Sequence, residues 1–199
     1  MSPPPAPRRK ATDAYHHGDL RAALVAAAVR QIEQSGAEAV SMKALAQSLG
    51  VSQPAPYRHF PDREALLVAV AVESFRAFSA ALRAAAEAAT ARATLRAMAG
   101  AYVVFGREHV HLYRLMFASR LLPSSTPESE LSVVAKESFE LLLEAVRAGG
   151  AGAEARRAAL GIWASLHGIV MLDAEGLLSP HIMADVQVDR LVRDVVTPR

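Results

Sequence analysis

The chain has no cysteine. That absence alone excludes disulfides, thiolate metal sites and cysteine nucleophiles. Residues that favour strands are sparse and rarely alternate, while Ala, Leu, Arg and Glu dominate, so the expected fold class is all-α. No uncharged run reaches the length of a membrane span. The longest, residues 158–172, falls short of the roughly 20 residues needed and contains His167. The basic N-terminus is not followed by an apolar stretch, which argues against a secretory signal. A soluble, cytoplasmic protein without membrane contact is expected. Nor is one sign of charge in large excess: 22 Lys/Arg stand against 20 Asp/Glu, a net charge of +2.

What is present is apolar content and an uneven division of charge. With 52% hydrophobic residues, the 199-residue chain can bury a core for one large or two small domains, which excludes global disorder. Residues 1–63 carry eight Lys/Arg against five acids, and the remainder fourteen against fifteen. A mildly basic head on a neutral body suits contact with a phosphate backbone at one end.

The stretch SMKALAQSLGVSQPAPYRHFPDR, residues 41–63, organises the rest. Met42, Leu45, Ala46 and Leu49 fall at i, i+3, i+4, i+7 and form one buried helix face. Ser41 stands where an N-cap belongs and Gly50 where a left-handed residue closes a helix. Val51 plugs the turn. Ser52 or Gln53 then opens a second helix running to His59, with Tyr57 and Phe60 turned inward. Pro54 and Pro56 lack N–H donors, so they are tolerated only in its first turn, and a late start with a 3₁₀-like first turn is expected. A short polar helix propped on two others is a helix-turn-helix, whose second helix enters the DNA major groove.

Residues 1–15 read as a disordered arm, proline-rich and then basic at Arg8, Arg9 and Lys10. The arm either touches DNA or is a solvated tail. A first helix is expected over about 18–35, ended by Gly36, and residues 16–62 form the helix-turn-helix domain. Asp62 caps a long amphipathic helix to about Glu87. Further helices are expected over roughly 91–106, 108–121, 127–148, 154–177 and 181–196, separated by Pro-, Ser- and Gly-rich breaks. Residues 63–199 thus form a helical body.

At residues 16–72 the sequence resembles the N-terminal domain of the tetracycline-repressor (TetR) family of bacterial transcription regulators. The resemblance rests on ALAQSLGVS in the second helix, YRHF at the end of the recognition helix, and the charged helix start that follows. The body resembles a C-terminal domain type of that family marked by Trp-x-x-x-His-Gly, here Trp163 to Gly168, with residues 108–117 as a corner before it. The resemblance implies a homodimeric repressor on a pseudo-palindromic double-stranded operator, released when a small, largely apolar effector binds in each body. It implies no catalysis and no cofactor or metal. It also places the dimer seam on the last two helices, through Leu160, Ile169, Leu172, Val188, Leu191, Val192 and Val195.

Individual residues carry two readings each. Lys43 points off the buried face toward DNA or simply into solvent. Gln53 can read adenine or cap a helix, and Pro54 or Ala55 can meet a thymine methyl. Tyr57, Arg58, His59 and Arg63 are candidates for phosphate contacts, with Ser41 and Ser52 at the helix starts. In the body, Tyr102, Phe105, His109, Tyr113, Met116 and Phe117 recur at helical spacing, either as core or as a ligand box. Trp163, His167 and Met171 share one face and offer polar contacts to a ligand, or pack as core.

Two rivals come from other classes. A metal-dependent enzyme in a helical bundle would use Glu108, His109, His111 and His167, yet Glu-x-x-His occurs only once, where bundle sites use two. A helix-turn-helix that packs on protein is the other, and the basic head argues against it.

Overall fold

The computed structural model describes residues 20–90, 93–184 and 187–197. The arm at 1–15 and the Tyr15–Gly18 lead-in lie outside the described residues. Among the described residues there are eight α-helices, three 3₁₀ turns and no strand, as an all-α chain requires.

The first helix, α1 (Leu20–Ser35), buries Leu24, Val25, Ala27, Ala28 and Ile32. Gly36 ends it at φ 79, a conformation L side chains rarely adopt. A 3₁₀ turn at Ala37–Ala39 leads to α2 (Met42–Ser48). Ser41 caps α2, its hydroxyl accepting the Ala44 N–H at 3.4 Å. At the other end Gly50 takes φ 67. The Val51 N–H reaches the Ala46 carbonyl at 3.0 Å and the Gly50 N–H the Gln47 carbonyl at 3.2 Å, which is the Schellman arrangement.

The second helix of the motif differs from the expectation. No α-helix spans 52–59; instead a run of tight turns ends in a 3₁₀ helix at Pro56–Arg58. Ala55 rather than Gln53 stands at its cap, and Ala55, Arg58 and His59 donate to Ser52, Ala55 and Pro56 three residues back. Pro54 and Pro56 supply no N–H, so i→i−4 bonding begins only when Phe60 reaches Pro56 at 3.0 Å. The tighter turn also rotates the side chains. Pro56 and Phe60 face inward, while Tyr57, expected inside, is 54% exposed.

The long helix α3 (Arg63–Glu87) starts where Asp62 accepts the Ala65 N–H at 2.8 Å. By length and composition it could cross a membrane, but most of its apolar window is buried inside the fold. It packs against α1 and against three body helices: α4 (Thr94–Glu108), α5 (Val110–Phe117) and α6 (Glu130–Ala148). The body is completed by α7 (Ala155–Ala174) and α8 (Val188–Val196), which pack on α4 and on each other. Head and body share one continuous core, from Leu24 and Leu45 through Phe75 to Tyr113 and Val170. A satellite cluster of Leu142, Leu143, Val146, Ala155 and Ala159 joins α6 to α7.

Several body boundaries move from their expected places. The helix expected over 108–121 stops at Phe117, and α6 starts at Glu130 because Ser129 caps the Ser132 N–H at 3.2 Å. α7 stops at Ala174 because Gly176 at φ 72 repeats the Gly50 device, with the Leu177 N–H on the Leu172 carbonyl at 2.9 Å. The last helix begins at Val188 rather than His181. At Gly106 a side chain would not fit: a Cβ there would lie 2.4 Å from Val170 Cγ1, so glycine sets the α4–α7 approach.

Candidate nucleic-acid interface and internal cavity

In the head, the 52–60 segment buries Pro56 and Phe60 and leaves Ser52, Gln53, Pro54, Tyr57, Arg58 and His59 exposed, with Ala55 half-buried. Phe60 is anchored in the core, and the Arg21 guanidinium carbon lies 5.2 Å from its ring centroid. The segment thus presents polar and flat apolar groups on a rigid base. Lys43 on α2 is exposed too, and neither Lys43 nor Arg58 forms an ion pair among the described residues. Unpaired exposed cations beside such a turn can take phosphate, and Gln53 is free to reach a base edge. Ser41 and Ser52 are exposed, the first as the α2 cap and the second with its carbonyl bound to Ala55.

Arg63 has a different employment. Its Nε donates to the Val40 carbonyl at 3.0 Å and its Nη2 to the Ala37 carbonyl at 2.6 Å, with Glu38 at 3.8 Å. The guanidinium ties the start of α3 to the corner between α1 and α2, so it holds the head together.

The body encloses a cavity of about 550 Å³, within the range of small-molecule sites. Its walls come from α3 (Phe75, Phe78, Leu82), α4 (Met98, Ala99, Tyr102), Phe117, α6 and α7. Phe78 is its aromatic hub, edge-on to Tyr102 at 5.0 Å and to Phe105 at 5.2 Å between ring centroids.

Behind the wall runs a hydrogen-bond chain. Tyr102 Oη lies 2.8 Å from Tyr113 Oη, which lies 2.7 Å from His167 Nδ1. Either hydroxyl can donate within the hydrogen-bond chain, and the role of Nδ1 follows the His167 tautomer. Burial pushes both tyrosine hydroxyls well above their usual range, and desolvation lowers the His167 pKa. The chain is therefore neutral near pH 7.

Of the nine body residues expected to meet a ligand, Tyr102, Phe117, Trp163 and His167 line the cavity. Tyr113 is fully buried behind it, and Phe105 and Met116 are core. His109 sits at the corner between α4 and α5 with Nδ1 2.7 Å from Glu33 Oε1 of α1, so it joins body to head. Met171 borders a separate groove between head and body. Phe75, Phe78 and Leu82 were missed as lining, although their i, i+3, i+7 spacing on α3 was legible as an apolar face, and Met98 of α4 was missed as well. Lys136, Phe139 and Arg156 were also missed, and no local signal marks them.

The supposed metal ligands do not converge. His109 faces Glu33, His111 lies near Gly36, and His167 belongs to the cavity. Among the described residues no group of three or more His, Asp or Glu could hold a metal ion.

An exposed helix-turn-helix carried by a helical body with an internal cavity defines a class, the DNA-binding regulators with a built-in ligand site. Comparison makes the assignment specific. The profile described as "Tetracyclin repressor-like, C-terminal domain" matches residues 95–196, and that described as "Bacterial regulatory proteins, tetR family" matches residues 24–70. The chain belongs to the TetR family. It is similar to an uncharacterised HTH-type transcriptional regulator of Mycobacterium tuberculosis, 25% identical over 177 residues, covering 88% of this chain and 78% of that one. A solved protein of unknown function from Rhodococcus sp. RHA1 is 36% identical, with a TM-score of 0.77 over 92% of this chain and 94% of the other. The TetR family regulator PfmR from Thermus thermophilus shares the fold at 22% identity, with a TM-score of 0.60 over 86% of this chain and 93% of that one. The chain is thus a TetR-family transcriptional regulator, a DNA-binding protein rather than an enzyme.

Proposed function

We propose that this regulator is a cytoplasmic, homodimeric repressor that leaves a pseudo-palindromic operator when a small, largely apolar molecule enters the cavity. One observation carries the reading: a turn that exposes Gln53, Tyr57, Arg58 and His59 while burying Pro56 and Phe60 beneath them. The DNA contacts are Lys43, Ser52, Gln53, Pro54, Ala55, Tyr57, Arg58 and His59, with Ser41 at the α2 cap. The effector contacts are Tyr102, Phe117, Trp163 and His167. The functional division falls near residue 62, residues 16–62 reading DNA and residues 63–199 holding effector and partner.

Dimerisation is supported by the outer face of α7. Leu160 and Leu172 are exposed there at 51% and 44%, and a Cβ at Gly161 or Gly168 would meet nothing within 4 Å. Ile169, Val188 and Val192 are buried inside the chain and drop out of the seam; Leu191 and Val195 remain half-buried. In dimers of this kind the two heads sit about one DNA turn, roughly 34–36 Å, apart.

The test is binding of the purified full chain to DNA taken from just upstream of its own gene, across a salt series. Tight, sequence-selective binding that weakens steeply with salt is expected. Affinity no greater than for random DNA of the same length, with a flat salt response, would count against the reading.

A further inference from the structure

The walls of the cavity are apolar, but its charged groups are all of one sign. Ser138 Oγ donates to the Ala135 carbonyl at 2.7 Å, and Ser132 Oγ pairs with Ser125 Oγ at 2.7 Å, so both hydroxyls are satisfied locally. Tyr102 is engaged by Tyr113. His167 Nδ1 is engaged by Tyr113, and the charged lining groups are the Lys136 ammonium and the Arg156 guanidinium. Both are cations that can only donate, and among the described residues no Asp or Glu lines the cavity.

The two cations are not equivalent. Arg156 already gives an N–H to Glu140 at 3.0 Å, and its guanidinium carbon lies 5.8 Å from the Phe139 ring centroid. Lys136 has no hydrogen bond or ion pair among the described residues. It also borders an outer groove with Glu137, Glu140 and Glu144, yet none of those acids pairs with it. Lys136, Arg156 and Leu160 are all exposed, which sets the mouth between the middle of α6 and the start of α7.

A group that only accepts hydrogen bonds and carries negative charge complements such a lining. We propose that the effector is an apolar molecule bearing one carboxylate, with Lys136 as the main contact to the anionic group and Arg156 in support. This rests on the cavity being the effector site. The neutral inner chain fits the proposal, since it leaves the two mouth residues as the charges a ligand meets.

Trp163 is the sole tryptophan and lines the cavity, so its emission reports occupancy directly. Three probes with the same ten-carbon chain separate headgroup from body: decanoate, decanol and decylamine, each titrated into the full-length protein. Decanoate is expected to bind about tenfold tighter than decanol, with decylamine weakest. Lys136→Ala should lower decanoate affinity about tenfold and leave decanol unchanged, and Arg156→Ala should lower it by about threefold. Both residues are exposed, and unchanged melting of each variant keeps the comparison sound. Equal affinity for decanoate and decanol, or preference for decylamine, would overturn the carboxylate while leaving the cavity as a ligand site. Equal loss of decanoate and decanol in Lys136→Ala would overturn the role of Lys136. No change in Trp163 emission with any probe would overturn the effector cavity as well.

Discussion

The recognition turn and the cavity solve opposite problems with the same helical material. The turn must hold polar side chains outward, so it needs a base, and Pro56 and Phe60 supply one from within nine residues of chain. The cavity must hold side chains inward around empty space, and its walls are drawn from helices more than 80 residues apart in sequence, from Phe75 to His167. A local device can be cut away from the rest of the protein with small effects on stability. A long-range one cannot, because most of its apolar wall, from Phe75 and Phe78 to Leu166, is also core.

Four predictions test that contrast, from the largest effect to the smallest. Replacing Lys43 and Arg58 together with Ala should weaken operator binding by about 3 kcal/mol, roughly a hundredfold, and flatten the log K versus log salt slope by about 2. Melting temperature should not move, because both side chains are exposed and unpaired. Gel-shift titrations beside calorimetry read both quantities. A matching loss of stability would mean that the turn is not the independent device described.

In the body, Gly106→Ala should destabilise by about 1–3 kcal/mol in denaturant titrations, since the added methyl meets Val170 Cγ1 at 2.4 Å. Adding Val170→Ala should recover much of that loss, a coupling that independent sites would not show.

Arg63 lies between the two cases. Arg63→Ala should destabilise by about 1–2 kcal/mol through loss of its bonds to the Ala37 and Val40 carbonyls. Arg63→Lys should restore little, because one ammonium does not reproduce the two-pronged geometry. If Arg63 acted instead on phosphate, Lys would restore DNA binding and stability would be unchanged.

The smallest effect concerns pH. Desolvation sets the His167 pKa in the folded protein below its ordinary value of about 6.5. Between those two values the unfolded chain binds the extra proton, so this contribution is complete above about pH 6.5 and is lost as pH falls through the folded pKa. Melting temperature of the native protein should therefore drop more between pH 7 and pH 5 than that of His167→Gln. Identical slopes would place His167 in a more solvated setting than the cavity gives it.

What was legible in the sequence follows the reach of each interaction. The ends of α2, the Gly36 stop and the Asp62 cap were readable because caps and glycine turns involve neighbours within about four residues. The recognition segment was half readable: two prolines forecast a disturbed start, but only the folded chain shows that 3₁₀ bonding carries through to Arg58 and turns Tyr57 outward. The Gly176 stop follows the same rule as Gly50, so the end of α7 is also written locally.

The sequence by itself determined the all-α class and the helix-turn-helix with its caps, because periodicity and local capping are written residue by residue. The tertiary structure alone decided which aromatic residues face the cavity and which lie behind it. It made Arg63 a strut and His109 a joint, and it left Lys136 unpaired at the cavity mouth. Those outcomes depend on how helices distant in sequence cross, and a crossing is set by packing that no single segment encodes.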